Sequence, residues 1–288
     1  MFAFDETLDD ARRRQINDAL VEDIGRGDWT GQLVPAGERV HARVRVRERA
    51  VLCGRDWFDG VLQRLDPAAV LDWRAAEGAW VEPDTEVVHL IADARALLAA
   101  ERPALNFLQL LSATATLTRR HVDAVAGASP NPRGCAILDT RKTIPGLRLA
   151  QKYAVRTGGG HNQRLALYDG ILIKENHIAA AGGIPQVLAA AAALRAGVPV
   201  QIEVETLAQL SEALAHGATN VLLDNFDLAR LRDAVQLNAG RAVLEVSGSV
   251  QLEQLRDIAA TGVDRISIGR LTKDVTAVDF SLRVLGPA

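Results

Sequence analysis

The sequence predicts an α/β protein in which a small mixed-sheet domain is followed by a parallel barrel. Three observations carry that expectation. From Cys135 onward, short apolar runs alternate with helical periods, six strand–helix units in all, the rhythm of a parallel sheet with crossover helices. Those runs end in chemistry, at Asp139-Thr140-Arg141-Lys142, Lys174-Glu175-Asn176, Glu203-Val204-Glu205, Asp224-Asn225, Ser247-Gly248-Ser249 and Gly269-Arg270. A barrel brings all its strand ends to one mouth, where barrel enzymes work. An open doubly wound sheet gathers only those beside its switch point. The first hundred residues lack the repeat and read as a mixed α+β layer. Six units fall short of the usual eight, so the barrel is expected to be small or incomplete.

The elements justify themselves in order. Residues 7–23 read as a helix with Thr7 as N-cap and Asp10 three residues on, a weak capping box, and Gly25 and Gly27 end it. Residues 40–47 alternate strictly, with Val40, Ala42, Val44 and Val46 on one face and His41, Arg43, Arg45 and Arg47 on the other, as a half-buried strand does. The arginines read first as a polar outer face and only second as a binding stripe. A helix is expected over 56–65, and short strands at 70–73 and 85–91. Residues 94–126 are helical but expected to break near Pro103, which sits best in a first turn, so Glu101 or Arg102 would open the second helix. Ser129-Pro130-Asn131-Pro132 is a linker. Beyond it, strands end at Asp139, Lys174, Glu205, Asp224, Ser247 and Gly269, with helices at 149–157, 185–195, 207–216, 228–237 and 252–261.

Composition excludes several classes. The chain has 288 residues, 48% of them hydrophobic and 24% charged, enough for a full core in one or two domains without staples. Its two cysteines, Cys53 and Cys135, lie far apart with no metal spacing, so a reducing, cytoplasmic setting is expected. The start MFAFDETLDD is acidic where a signal peptide would be basic. No apolar run reaches the length of a membrane span. A net charge of −3 does not fit a nucleic-acid binder.

Against that overall charge, residues 139–177 concentrate Arg141, Lys142, Lys152, Arg156, Arg164 and Lys174, with His161 and His177 among them. Such a concentration calls for an anionic ligand. Lysine occurs only at Lys142, Lys152, Lys174 and Lys273, so three sites in this window keep a compact ammonium where the chain otherwise uses Arg. Arg141 and Lys142 at a strand end suit a carboxylate or phosphate, or are a solvated loop pair. Lys174 ends an apolar run, so its stem is expected inside the barrel and its charge must meet an acid or an anion. Glu203 and Glu205 share a strand face, and Asp224 ends the next strand. Carboxylates converging beside phosphates point to Mg²⁺, or to an internal ion pair with Lys174 or Arg164. Ser247-Gly248-Ser249, expected to open a helix, and Gly269-Arg270 look like a phosphate seat, although such a triplet also simply caps helices. Gly158-Gly159-Gly160 matches no Rossmann or P-loop spacing.

Taken together, these motifs resemble the quinolinate phosphoribosyltransferase (carboxylating nicotinate-nucleotide pyrophosphorylase) family. The matching pieces are Glu101-Arg102-Pro103-Ala104-Leu105-Asn106, Asp139-Thr140-Arg141-Lys142-Thr143, residues 158–177, Ile202-Glu203-Val204-Glu205, Leu223-Asp224-Asn225-Phe226, Glu245-Val246-Ser247-Gly248-Ser249 and Ser267-Ile268-Gly269. The resemblance implies a pentosyltransferase that joins quinolinate to 5-phosphoribosyl-1-pyrophosphate with Mg²⁺, giving nicotinate mononucleotide, pyrophosphate and CO2. It implies an N-terminal α/β sandwich domain over 1–114, joined by a C-terminal segment 271–288, and an incomplete six- to seven-strand α/β barrel over 115–270. It implies a homodimer in which Arg102 is donated to the neighbouring site. By the same resemblance Arg141 and Arg164 hold the ring carboxylates, while Lys142 and Lys174 face the pyrophosphate and ribose. Glu203 and Asp224 hold Mg²⁺ through water, and Ser247, Gly248, Ser249, Ile268, Gly269 and Arg270 seat the 5-phosphate. Thr140 and His161 complete the set of substrate-binding residues. The chain departs from many relatives at Gln163, where they carry His; Gln can donate a hydrogen bond but carries no charge, and His161 is near enough in sequence to substitute. Two other readings remain: a paralogue acting on another aromatic acid, and a barrel lyase forming a Schiff base on Lys174.

Overall fold

A computed structural model describes residues 6–288, so the first half of the acidic start, residues 1–5, lies outside the described residues. The chain forms two compact units: Met1–Arg119 with Thr143–Gly159 and Thr272–Ala288, and Arg120–Lys142 with Gly160–Leu271. In chain order the strands are β1 (Arg39–Val46), β2 (Ala50–Val51), β3 (Val70–Trp73), β4 (Trp80–Val81), β5 (Glu86–Asp93), β6 (Ala136–Leu138), β7 (Ile171–Ile173), β8 (Val200–Val204), β9 (Asn220–Asp224), β10 (Val243–Ser247), β11 (Arg265–Ser267) and β12 (Phe280–Pro287). The helices are α1 (Leu8–Ile24), α2 (Arg55–Leu65), α3 (Ala94–Val125), α4 (Arg148–Thr157), α5 (Glu175–Ala181), α6 (Ile184–Ala193), α7 (Leu207–Ala215), α8 (Leu228–Asn238), α9 (Leu255–Ala259) and α10 (Arg270–Lys273).

The first unit is built on a four-stranded antiparallel sheet in the order β12-β1-β5-β3. Its helix α1 starts with the capping box expected at Thr7: the hydroxyl accepts from the Asp10 amide at 3.1 Å, and the Asp10 carboxylate accepts from the Thr7 amide in return. Along β1 the apolar alternation is realised, with Val40, Ala42, Val44 and Val46 buried. The facing arginines are spoken for within the sheet. Arg43 and Arg45 reach Glu86, and Arg47 reaches Asp84. They form an ion-paired outer face rather than an open binding stripe. Trp57, Phe58, Val61 and Leu62 of α2 pack into the core with Leu97, Leu105, Leu108 and Leu111 of α3.

Two expectations are corrected here. The helix does not break at Pro103: α3 runs unbroken from Ala94 to Val125 with Pro103 inside it. A proline removes one helical hydrogen bond and strains the turn before it. The buried stripe Leu97, Ala100, Ala104, Leu105, Leu108 and Leu111 continues on both sides, and packing of that stripe holds the axis. The helix expected at 149–157, read as part of the barrel, is α4, which packs in the first unit and touches α1.

The second unit carries a six-stranded parallel sheet in the order β6-β11-β10-β9-β8-β7. From β7 to β11 each strand lies beside the next in sequence, and β6, the earliest, lies beside the latest. The order is therefore cyclic and has no switch point, which is the topology of a barrel. Hydrogen bonding does not join β6 to β7, so the ring is incomplete, in agreement with the fold class read from the sequence. A single parallel bridge between His161 and Leu138 extends the β6 side.

The register fixes which residues face inward. Val204, Leu223, Val246, Ile266 and Ile137 share one row and are buried against the helices. The alternate row contains Glu203, Leu222, Glu245 and Arg265, followed at the carboxyl ends by Asp224 and Ser247. Two local departures stand out. A short helix, α5, follows Lys174 directly, where the alanine and glycine residues before Pro185 hid it. The helix expected at 252–261 is a 3₁₀ turn (Leu252–Gln254) leading into the five-residue α9. Ser247-Gly248-Ser249 therefore precedes that turn by a loop and does not open a helix.

Candidate active site at the carboxyl ends of the strands

Arg141 and Lys142 follow β6 in a turn pinned by Thr140, whose hydroxyl accepts from the Lys142 amide at 3.1 Å. The Lys142 stem lies over Gly269: a Cβ placed there would sit 2.8 Å from Lys142 Cδ. Any side chain there would push the flexible Lys142 stem aside. Arg164 sits half-buried with Nη1 donating to the Gly170 carbonyl at 3.1 Å. Burial lowers its pKa and the nearby Arg141 charge lowers it further, against Asp169. Two guanidiniums held within reach of one another repel, and the arrangement is stabilised when an anion enters between them.

Lys174, at the end of β7, does not bury its stem as expected. Its side chain is 45% exposed and lies 3.1 Å from Glu203 Oε2 on β8, whose side chain is 11% exposed. The carboxylate aims the ammonium across the mouth. Asp224, at the end of β9, accepts from Asn225 Nδ2 at 2.9 Å. Asn225 adopts a left-handed backbone with φ 56°, and its amide donates to the Ser247 carbonyl. Gly248 has φ 144°, and a Cβ there would lie 2.8 Å from Asn225 Oδ1. The loop after β10 is thus shaped around the end of β9. Gly248 and Ser249 are exposed. Arg270 Nη1 donates to Gln251 Oε1 at 2.6 Å, beside that loop. Ile268 contributes differently from its neighbours, because its side chain is buried and its amide already donates to the Leu138 carbonyl.

Some basic residues of the 139–177 window lie elsewhere. Lys152 is buried in α4 and Arg156 is exposed on it, both in the first unit. Arg102 is exposed on α3. His161 is exposed, and its backbone bonds to both Ile137 and Asp139. Asp139, which the motifs include without a role at the site, is fully buried. Its two oxygens accept from the Asn162 side chain and from the Gln163 amide (2.9 Å), fixing the segment that delivers Arg164. A carboxylate at a strand end was visible in the sequence; its inward commitment was not.

Among the described residues, no three His, Cys, Asp or Glu side chains converge on a metal position. Glu203 and Asp224 lie on one row of neighbouring strands, two oxygen donors of the kind that a largely hydrated cation such as Mg²⁺ takes, and Glu203 is ion-paired with Lys174.

A barrel mouth carrying paired guanidiniums, two lysines, two carboxylates and a glycine-shaped loop defines an enzyme that grips a small polyanion. Two family models match the chain: "Quinolinate phosphoribosyl transferase, N-terminal domain" over residues 28–112 and "Quinolinate phosphoribosyl transferase, C-terminal domain" over residues 114–283. A nicotinate-nucleotide pyrophosphorylase (carboxylating) of Mycobacterium leprae is 42% identical over 281 residues, covering 95% of this chain and 97% of that protein. A probable nicotinate-nucleotide pyrophosphorylase (carboxylating) of Bacillus subtilis is 37% identical, covering 94% and 93%. The solved nicotinate-nucleotide pyrophosphorylase from Francisella tularensis superposes with a TM-score of 0.91 at 42% identity, covering 96% of both chains. The chain belongs to the quinolinate phosphoribosyl transferase family.

Proposed function

We infer that this protein transfers the phosphoribosyl group of 5-phosphoribosyl-1-pyrophosphate to the ring nitrogen of quinolinate, releasing pyrophosphate and CO2 and forming nicotinate mononucleotide for NAD synthesis. The observation that carries the reading is the Arg141–Arg164 pair, partly desolvated and mutually repelling, at the mouth of a family barrel. A pyridine with two adjacent carboxylates is the kind of small dianion that two neighbouring guanidiniums bind. Lys142 and Lys174 face the pyrophosphate and ribose, and the 247–249 loop with Gly269 and Arg270 seats the 5-phosphate. Ile268 shapes the floor of that seat.

Catalysis here is positioning and charge stabilisation, with no protein nucleophile. The bond from the ribose anomeric carbon to pyrophosphate breaks as the ring nitrogen approaches. Glu203 and Asp224 stabilise the positive charge that grows on the sugar, while Lys174, aimed by Glu203, meets the departing oxygen. Glu203 and Asp224 would hold Mg²⁺, which would supply charge neutralisation on the pyrophosphate. Once the ring nitrogen is cationic, its charge stabilises the electron pair left on the adjacent ring carbon as the carboxylate departs as CO2, and a proton from solvent then forms the new C–H bond there. Arg102, from a second copy of the chain in a homodimer, completes the carboxylate clamp. A Schiff-base role for Lys174 needs an apolar, desolvated pocket, and its half-exposed, ion-paired side chain does not provide one.

We propose a cytoplasmic setting, which the two free thiols Cys53 and Cys135 support. No helix among the described residues is long and apolar enough to cross a membrane. The test is a substrate panel with purified protein, the ribosyl donor and Mg²⁺. Quinolinate should be consumed only when all components are present, and nicotinate should be a far poorer acceptor. Nicotinate outperforming quinolinate would make the protein a paralogue with a different base.

A further inference from the structure

A polar chain crosses the barrel interior, and none of its inner members has a part in the reaction described above. Glu245, on the inward row of β10, is 1% exposed. Its Oε2 accepts from Gln201 Nε2 on β8 at 3.0 Å, and Gln201 Oε1 accepts from Gln163 Nε2 at 3.0 Å. Its other oxygen, Oε1, is buried with no hydrogen-bond partner among the described residues. An apolar filling of the same volume would stabilise the barrel more cheaply, since a partly satisfied buried network costs free energy. The chain ends on Gln163, whose own amide is held by Asp139, and the next residue is Arg164.

We infer that Glu245 and Gln201 are positioning residues for the carboxylate clamp: they fix the Gln163 side chain and, with Asp139, hold segment 162–164 so that Arg164 stays beside Arg141 before substrate arrives. The inference rests on the function proposed above for what the clamp holds. The Arg141 charge acts unfavourably on Arg164, and the scaffold holds the segment that carries Arg164 through Asp139 and Gln201. A segment anchored from below at two points keeps its place, and the site is then ready without reorganisation. The position where many relatives carry His has its side chain engaged inward in this chain. Gln163 acts by anchoring Arg164 rather than by supplying charge. Burial raises the Glu245 carboxyl above the usual range, against the Gln201 amide and Arg265, with Asp139 adding to the rise. Glutamine has the same shape and keeps a carbonyl oxygen to accept from Gln201 Nε2, so it should keep the chain intact.

The experiment compares the full-length wild type with Glu245→Gln, Glu245→Leu, Gln201→Leu and the Leu–Leu double variant. It reads amide hydrogen exchange at 162–164 without ligand, and KM for quinolinate and for the ribosyl donor. Glu245→Gln should leave exchange and both KM values within about twofold of wild type. Glu245→Leu and Gln201→Leu should each speed exchange at 162–164 about tenfold and raise the quinolinate KM about tenfold, leaving the donor KM within about twofold. The double variant should be no worse than either single one, because both break one chain. Unchanged exchange at 162–164 in Gln201→Leu, or both KM values rising together, would overturn the inference. Gln201 is only half-buried, so its variant decides the matter should Glu245→Leu fail to fold. The exchange measurement needs no substrate, so it remains decisive even if the wild type fails to turn over quinolinate.

Discussion

Lys174 shows how far a single residue could be read in advance. Its place at the end of an apolar run marked it as an ammonium that needed an anion, and the partner is Glu203 at 3.1 Å. Its degree of exposure was not legible, because that depends on how wide the barrel opens beside β7. On the proposed mechanism, removing it takes away the charge that meets the leaving pyrophosphate. Lys174→Ala should lower kcat by about 100-fold, as loss of a preorganised electrostatic group does. Lys174→Arg should recover little of it, because a planar fork cannot take the place of a compact ammonium. Steady-state kinetics of the two variants checks both statements. Glu245, Gln201 and Asp139 were visible only as polar letters in or beside apolar strands. Their pairing spans up to 44 residues, and strand periodicity gives parity without giving partners.

Among the elements, those with strong local periodicity were legible: α1 with its capping box, β1 with its alternation, and all six parallel strands. The misses share a physical cause. The unbroken α3 keeps a proline because long-range packing outweighs a local penalty, and α5 exposes all its residues or half-buries them, so it has no apolar stripe to find. The loop after β10 illustrates a constraint that only three dimensions supply. Gly248→Ala would place a methyl against Asn225 Oδ1 in a backbone conformation that disfavours any side chain. The donor KM should rise about tenfold while the quinolinate KM changes little, since the loop shapes only the phosphate seat.

In the first unit, Asp59 on α2 accepts from Trp73 Nε1 at 2.8 Å, and burial raises its carboxyl from 3.8 to about 6. The folded state therefore binds this proton more tightly than the unfolded chain. The associated stability is fully present below about pH 4 and is lost as pH rises through about 6. Asp59→Asn keeps an acceptor for Trp73 without the titration. Its Tm relative to wild type should climb as pH rises from about 4 to 7 and then level off; a difference independent of pH would contradict the assignment.

At the scale of the whole molecule, the class of fold and the family were legible because strand ends carry chemistry in a fixed order along the chain. The excursion of residues 143–159 into the first unit was not, since nothing in the composition of α4 distinguishes it from a barrel helix. The shared-site reading makes its own prediction. Arg102→Ala and Arg164→Ala should each be inactive alone, and mixing the two proteins should restore part of the activity through hybrid dimers that retain one intact clamp. Failure of every mixture to recover turnover would assign Arg102 to its own chain or to no site.

The reaction itself is tested most directly by quinolinate labelled in its 2-carboxyl carbon. With the ribosyl donor and Mg²⁺ present, labelled CO2 and pyrophosphate should appear in equal amounts, and omitting the donor should abolish both. Pyrophosphate without labelled CO2, or CO2 released without the donor, would contradict the account.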